Sequence, residues 1–385
     1  VCTIYNTFER LAAIPFIGAG FLLRKDDFSA AGKRGLVHNR CPGGLFEMSE
    51  VAEKNNVPKG NWKPFVADSL PWPAGKAPLM LAPMQGLTNR ALRRLFIDWV
   101  CPDVVCTEFM RVSAVAGKRR LAAGDLREVA AAEGGVPLVV QLIGHGRDAL
   151  VSAALAAQAA GARHLNLNMG CPYGRMTSGL TGGGMLRRPE DLAEVIPALR
   201  EAVAGSFSVK LRAGYDDHEL VLKLLPLFES AGVDFLVLHP RTVVQQYAGQ
   251  ADHAVTAEVV RSTRLPVIAN GDIRSAAEGL RVLRETAAAG LMLGRGAIAD
   301  PLLFARLRGE APAEPSRHEV AAMLRRYLRE VLARYEELFC GETQVLGKVK
   351  EILAFVADPT FAKALKQLKK AQSVRAFAAL VDELE

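Results

Sequence analysis

The chain has 385 residues; 50% are hydrophobic and 23% charged, enough apolar matter for a large core and too much for a disordered chain. Its 48 Lys and Arg against 41 Asp and Glu leave a net charge of +7, too small an excess to establish a polyanionic partner by itself. Six cysteines (2, 41, 101, 106, 171 and 340) form no CxxC pair and no cluster with histidine, which argues against a disulfide scaffold or a metal centre and for a reduced, cytoplasmic protein.

Residues 1–75 scatter Gly, Pro and charge without sustained periodicity. The apolar stretch 11–23 contains Pro15, follows Glu9-Arg10 and is shorter than the roughly 20 residues of a membrane span, so neither a signal peptide nor an anchor is expected. Met48 opens an alternative start, and 1–47 is expected to be a poorly ordered extension.

From residue 79 a regular series begins. Short hydrophobic runs occupy 79–84, 104–109, 138–143, 164–169, 208–211, 235–239, 267–270 and 291–293, and helical patterns separate most of them, clearest at 151–160, 191–202, 220–230 and 276–285. Eight buried runs alternating with helices predict a (β/α)8 TIM barrel over 76–311. A doubly wound open sheet is the competing architecture, but no early Gly-rich dinucleotide fingerprint accompanies it. Pro312 and Pro315 mark a linker, and Val320, Met323, Leu324, Tyr327, Leu328 and Val331 recur at helical spacing beyond it. With further helical segments at 345–356 and 361–368, residues 312–385 read as a small all-α domain. Between Cys340 and Phe377 seven basic side chains (Lys348, Lys350, Lys363, Lys366, Lys369, Lys370, Arg375) stand against three acidic ones (Glu342, Glu351, Asp358), either a solvated face or a phosphate-binding one.

The chemistry-bearing residues sit where a barrel keeps its active site, at the C-terminal ends of strands. Gln141 lies near the end of the third run and Cys171 just past the fourth, ahead of the glycine-rich loop Gly179-Leu-Thr-Gly-Gly-Gly184. Lys210 sits in the fifth run, where burial of an ammonium calls for an anion or a covalent role. His239 and Arg241 follow the sixth, Asn270-Gly-Asp272 the seventh and Gly294-Arg-Gly296 the eighth, the last two being the loops where barrels hold phosphate. A cysteine with an ordinary thiol pKa near 8.5 is mostly protonated at neutrality, which suits a proton donor more than a nucleophile.

With these residues in place, the chain resembles the tRNA-dihydrouridine synthases. Ala82-Pro-Met-Gln-Gly86, Thr107-Glu-Phe109, Val140-Gln-Leu-Ile-Gly144, Asn168-Met-Gly-Cys-Pro172, Val209-Lys-Leu-Arg212, His239-Pro-Arg-Thr242, Asn270-Gly-Asp272 and Gly294-Arg-Gly-Ala297 carry the likeness. The resemblance implies an FMN-bearing barrel followed by a helical tRNA-binding domain. It implies that Pro83, Met84, Gln85, Gln141, Lys210, His239, Asn270, Gly271, Asp272, Gly294 and Arg295 hold FMN. NADPH would reduce the flavin, a hydride would pass from flavin N5 to uridine C6, and Cys171 would give C5 its proton. Asn168 would help position the flipped-out base. The tail and Thr-Glu-Phe-Met-Arg-Val are similar to the C-type bacterial enzymes, which modify uridine 16; by that match Glu108, Lys348, Lys350, Phe355 and Lys369 would orient tRNA. The chain departs from the family at Tyr173-Gly174 (often Ser-Lys), Met169 (often Cys) and Pro240 (often Gly). A monomer is expected. Another FMN barrel acting on a small molecule, dihydroorotate dehydrogenase-like or ene-reductase-like, remains the alternative, and a lyase using Lys210 as a Schiff base a further one.

Overall fold

A computed structural model describes residues 70–115, 120–173 and 179–385. The expectations for residues 1–47 and for Met48 lie outside them. All eight hydrophobic runs form strands: β1 (Leu79–Leu81), β2 (Val104–Cys106), β3 (Val136–Ile143), β4 (His164–Met169), β5 (Ser206–Arg212), β6 (Phe235–His239), β7 (Val267–Asn270) and β8 (Gly290–Leu293). Each pairs in parallel with its sequence neighbour, and β8 pairs back onto β1, closing the TIM barrel. The first two strands end sooner than expected, at Leu81 and Cys106. After Ala82 donates to Leu293 O, Pro83 has no N–H to extend the ladder.

The two-residue period of a strand sorts side chains to the two faces of the wall. Leu79, Leu81, Val105, Leu165, Leu167, Val209, Leu211, Leu236 and Leu238 point outward into the helix layer. Met80, Val104, Cys106, Val139, Phe235, Val237, Ile268 and Met292 fill the interior. Trp72, which precedes the first strand, joins this inner cluster, its ring edge-on to Phe235 at 4.8 Å. Apolar side chains of β1, β2, β6, β7 and β8 thus fill the lower interior, while β4 and β5 carry polar groups inward along their length, His164 beside Ser206 and Asn166 beside Ser208.

The surrounding helices are α1 (Arg90–Val100), α2 (Arg147–Ala159), α3 (Leu192–Ala202), α4 (Leu220–Ala231), α5 (His253–Ser262), α6 (Ala276–Thr286) and the short α7 (Arg295–Ala299) and α8 (Leu303–Arg308). The tail adds α9 (Arg317–Leu338), α10 (Glu342–Leu353), α11 (Ala362–Lys370) and α12 (Val374–Asp382). Helix α9 starts at a capping box, Ser316 with Glu319, that satisfies two orphan donors. It docks on α1: Trp99 Nε1 donates to Glu330 at 2.8 Å, Arg326 lies 4.2 Å over the Trp99 ring, and Arg334 meets Asp98 at 2.9 Å. One apolar cluster runs from Leu81 and Leu291 through Tyr327 to Leu368 and Phe377, so the tail shares its core with one side of the barrel. Helix α12 was not foreseen, although Ser373, which caps it, and Val374, Phe377 and Val381 at helical spacing carried its signal. Among the described residues no helix is long and apolar enough to cross a membrane.

Candidate active site

The strand register puts the polar side chains of neighbouring strands side by side at the barrel mouth. Gln141 is level with Asn166, Asn166 with Ser208, Asn168 with Lys210, and Arg212 with His239. Lys210 lies two residues before the end of β5, not at its end, and its Nζ donates to Asn270 Oδ1 at 3.0 Å. Burial, helped by the nearby Arg212 charge, lowers the Lys210 pKa to about 8. Asn270 also donates to Met292 O at 2.8 Å, so the pair is fixed to the β8 backbone. Gln141 is only 1% exposed, and its amide is engaged at both ends: Nε2 donates to Asn166 Oδ1 and Oε1 accepts from Asn168 Nδ2, both at 2.8 Å.

Cys171 stands on the loop after β4, half-buried. Asn168 Oδ1 accepts the N–H groups of both Gly170 and Cys171 at 3.0 Å, and Gly183 N–H donates to Cys171 O at 2.9 Å. The loop expected at 179–184 is therefore partly a 3-10 turn, Gly182–Arg187, folded back onto the cysteine. Gly182 has φ +55, and a Cβ there would come within 2.9 Å of the Cys171 Cβ, so the fold-back needs glycine. Burial raises the Cys171 pKa above its ordinary value despite the Tyr173 N–H and the charges of Arg212, Arg111 and Lys210. The thiol is held protonated. Cys106, deeper in the barrel, is pushed by burial to about 12 and is inert as a thiolate source.

His239 is 7% exposed and its pKa lies well below 6.5, first through burial and then through Arg212, Lys210, Arg241 and Arg295. It is neutral. Arg241 can only donate, so its 3.2 Å contact makes His239 Nε2 the acceptor and leaves the proton on Nδ1. Arg241 grips Asp272 with two bonds of 3.0 and 2.6 Å; Arg295 adds one of 2.9 Å and the Ala251 N–H one of 2.8 Å. Burial alone would raise the Asp272 pKa, but these partners bring it below the usual value. The Asp272 carboxylate thus organises two arginines. Gly271, at φ +123, passes so near His239 that a Cβ would lie 2.9 Å from the ring. On the other side of the mouth Met84 comes close to Gly294: a Cβ on that glycine would sit 3.5 Å from Met84 Sδ. Pro83 is half-buried and Gln85 exposed beside it.

Two residues not singled out in the sequence join this ring. Arg212 bonds Gly170 O at 3.0 Å and Thr242 O at 2.8 Å, and its guanidinium lies 5.3 Å from the Tyr247 ring. Tyr247 is 41% exposed, with Arg295 4.6 Å from its centroid, the His239 ring at 6.2 Å and Tyr173 at 6.5 Å. Arg212 could have been found, since it lies two residues beyond Lys210 on the same strand. Tyr247, in a loop, left no pattern to read.

The residues expected to orient tRNA divide in two. Glu108 and Lys348 meet at Gly86, where the barrel touches α10. Lys348 Nζ bonds Gly86 O at 3.3 Å and Glu351 at 2.9 Å, while Gly86 N–H faces the Glu108 carboxylate. Burial raises the Glu108 pKa, offset in part by that N–H, Arg93 and Lys348, and its Oε1 is buried without a hydrogen-bond partner. Lys350 donates to Ala371 O, and Phe355 packs on the core, so both are committed within the tail. Lys369 is exposed on α11, with Lys363, Lys366 and Lys370 around it.

A separate cavity of about 650 Å³ opens at the other end of the barrel, near Lys76, Asp103 and Arg308. Asp103 is there held by Lys76, Arg308 and the Leu79 N–H, and none of the mouth residues lines it. Among the described residues no group of three or more His, Cys, Asp or Glu is placed to hold a metal ion.

The dihydrouridine synthase (Dus) family model matches residues 80–384. The chain is 32% identical to a probable tRNA-dihydrouridine synthase of Rhodobacter capsulatus, over 79% of this chain and 93% of that one. It is 32% identical to the tRNA-dihydrouridine(16) synthase of Cupriavidus necator, over 72% and 87%. It is also 33% identical to tRNA-dihydrouridine synthase B of Vibrio cholerae, over 60% and 70%.

Proposed function

Because the chain belongs to the dihydrouridine synthase family, we propose that it reduces a uridine of tRNA to 5,6-dihydrouridine, with FMN resident at the barrel mouth, NADPH as reductant and uridine 16 as target. The observation that carries this reading is Cys171 on the loop after β4, pinned by Asn168 at the same strand ends as the Lys210–Asn270 pair, with burial raising its pKa.

The mouth suits a flat, anionic cofactor. Lys210 and the remaining Gln141 amide hydrogen are donors for a ring edge, and neutral His239 adds a flat wall without adding to the charge of Lys210, Arg212 and Arg241. Pro83 and Met84 close one side, with Gln85 at the edge. Asn270, Gly271, Gly294 and Arg295 offer donors for the ribityl chain and phosphate, while Asp272 holds Arg241 and Arg295 in place. FMN, when bound, supplies the hydride. This chain's own residues do the rest. Negative charge developing on uracil at C5 and O4 is met by the Cys171 proton, and the raised pKa keeps that proton on Sγ until it is needed. Asn168 sets the height of the cysteine through its two backbone bonds.

A uridine reaches such a mouth only when unstacked and swung out, which requires a protein surface that holds the rest of the RNA. The family match extends through residue 384, over the lysine-bearing helices that a small-molecule enzyme does not need. Glu108 and Lys348 at the seam and Lys369 on α11 are the proposed tRNA contacts, while Lys350 and Phe355, bonded and packed within the tail, would support that surface from behind. The relatives named for position 16 and those named B match at similar identity, so the choice of uridine 16 rests on Glu108 and the tail sequence. A cytoplasmic monomer is the corresponding setting.

Purified protein supplied with FMN, NADPH and an unmodified tRNA transcript should form dihydrouridine at position 16, read by nucleoside and fragment mass spectrometry. Dihydrouridine elsewhere would overturn the position alone. Turnover of an enone or orotate with the tRNA left untouched would overturn the substrate class.

A further inference from the structure

Below the cysteine, four buried side chains from three adjacent strands form one hydrogen-bonded line. Ser208 Oγ donates to Leu165 O at 3.3 Å; Asn166 Nδ2 donates to Ser208 Oγ at 2.8 Å; Gln141 Nε2 donates to Asn166 Oδ1 at 2.8 Å; Asn168 Nδ2 donates to Gln141 Oε1 at 2.8 Å. The line ends on Asn168 Oδ1, which accepts the N–H groups of Gly170 and Cys171. None of the four side chains is more than 8% exposed.

Both ends of the line have fixed polarity. A backbone N–H can only donate and a backbone C=O can only accept, so each amide between them has one permitted orientation. Turning any one around sets N–H against N–H and O against O, and each buried group so orphaned costs about 1–3 kcal/mol. The line therefore transmits orientation from the middle of β5 to the cysteine loop. Asn166 and Ser208 sit below the residues proposed to meet a ligand, yet they determine which way Gln141 and Asn168 face.

We propose that Asn166 and Ser208 are positioning residues for Cys171: through Gln141 and Asn168 they hold the thiol at the height from which it protonates the substrate ring. This rests on Cys171 being the proton donor. Without Ser208 the Asn166 amide loses its acceptor, the chain of orientations is released at its base, and the loop bearing Cys171 loosens.

The test compares Ser208→Ala, Ser208→Thr and Asn166→Leu in FMN-loaded protein. Two readouts are followed: reoxidation of NADPH-reduced enzyme by tRNA, and the rate and pH profile of iodoacetamide alkylation at Cys171, resolved from the other cysteines by peptide mass spectrometry. Ser208→Ala should slow tRNA-dependent reoxidation about tenfold, since sub-ångström misplacement of a reacting group is that costly. Reduction by NADPH, which feels the line only through the Gln141 amide, should slow severalfold less than reoxidation by tRNA, alkylation of Cys171 should quicken severalfold with a displaced pH midpoint, and Ser208→Thr, which keeps the hydroxyl, should recover most of the wild-type behaviour. Unchanged alkylation and reoxidation in Ser208→Ala would overturn the proposal. So would equal losses in both half-reactions with Thr no better than Ala, the mark of a merely structural defect. Should Asn166→Leu fail to fold, the two Ser208 variants still decide. If wild-type protein formed no dihydrouridine, the proton-donor reading would fall, while the alkylation profiles would still report whether Ser208 governs the thiol.

Discussion

At the barrel mouth Gln141 is tied to Asn168, Lys210 to Asn270, and Arg241 and Arg295 to Asp272, all at 2.6–3.0 Å, and neutral His239 lies beside Arg241. On helix α11, by contrast, Lys363, Lys366, Lys369 and Lys370 stand in solvent. The difference teaches how one chain divides its labour. The mouth fixes geometry, so each group there is worth much and tolerates little. The helix face supplies charge at a distance, where each lysine is worth little and its place is forgiving.

The sharpest way to break the contrast is at Asp272. Its backbone is left-handed, at φ +48, a conformation that asparagine tolerates, so Asp272→Asn removes charge with little backbone strain. Arg241 and Arg295 then lose their shared anion. FMN affinity, measured by fluorescence quenching, should fall about tenfold or more, consistent with breaking a partly buried ion pair. Wild-type affinity would mean that the clamp does not shape the cofactor seat.

A smaller effect is expected from the four α11 lysines. Changing all four to Gln should raise the apparent KM for tRNA about five- to tenfold near 0.1 M salt and leave kcat alone, the gap closing as salt rises. A fall in kcat with unaltered KM would place this face in the chemistry and erase the contrast.

The smallest expected effect is on stability. His239 has a folded pKa below its unfolded one, so the unfolded chain binds more protons as pH drops. Its contribution is whole above about pH 6.5 and is lost as pH falls below that value. His164 and His253 are lowered too, also chiefly by burial. The melting temperature should therefore fall between pH 7 and pH 5, and by less in His239→Gln. An identical pH slope in that variant would show that His239 is not held neutral.

The strand series was legible because burial on both faces writes short continuous runs such as Phe235–His239, and the polar residues that interrupt their ends stand out. Cys171, Lys210 and His239 were visible for that reason. The inner line of Asn166 and Ser208 was not, because one polar residue in a strand looks the same whether it meets solvent or another amide; only the lateral register reveals its partner. The roles of Asp272 and Lys348 were hidden likewise: sequence gives a charge, and the fold decides whether it is spent on a ligand or on Arg241 and Glu351. The tail's basic excess was readable as a count, but not that Lys350 is turned to Ala371 O while Lys369 is left outside.

The direct test of the account is a single turnover with FMN-loaded Cys171→Ala, reduced by NADPH and then mixed with tRNA. The variant should be reduced at the wild-type rate yet reoxidised by tRNA about 10²- to 10⁴-fold more slowly, with no dihydrouridine accumulating, as expected on losing a general acid. Reoxidation within a fewfold of wild type, with normal dihydrouridine, would contradict it.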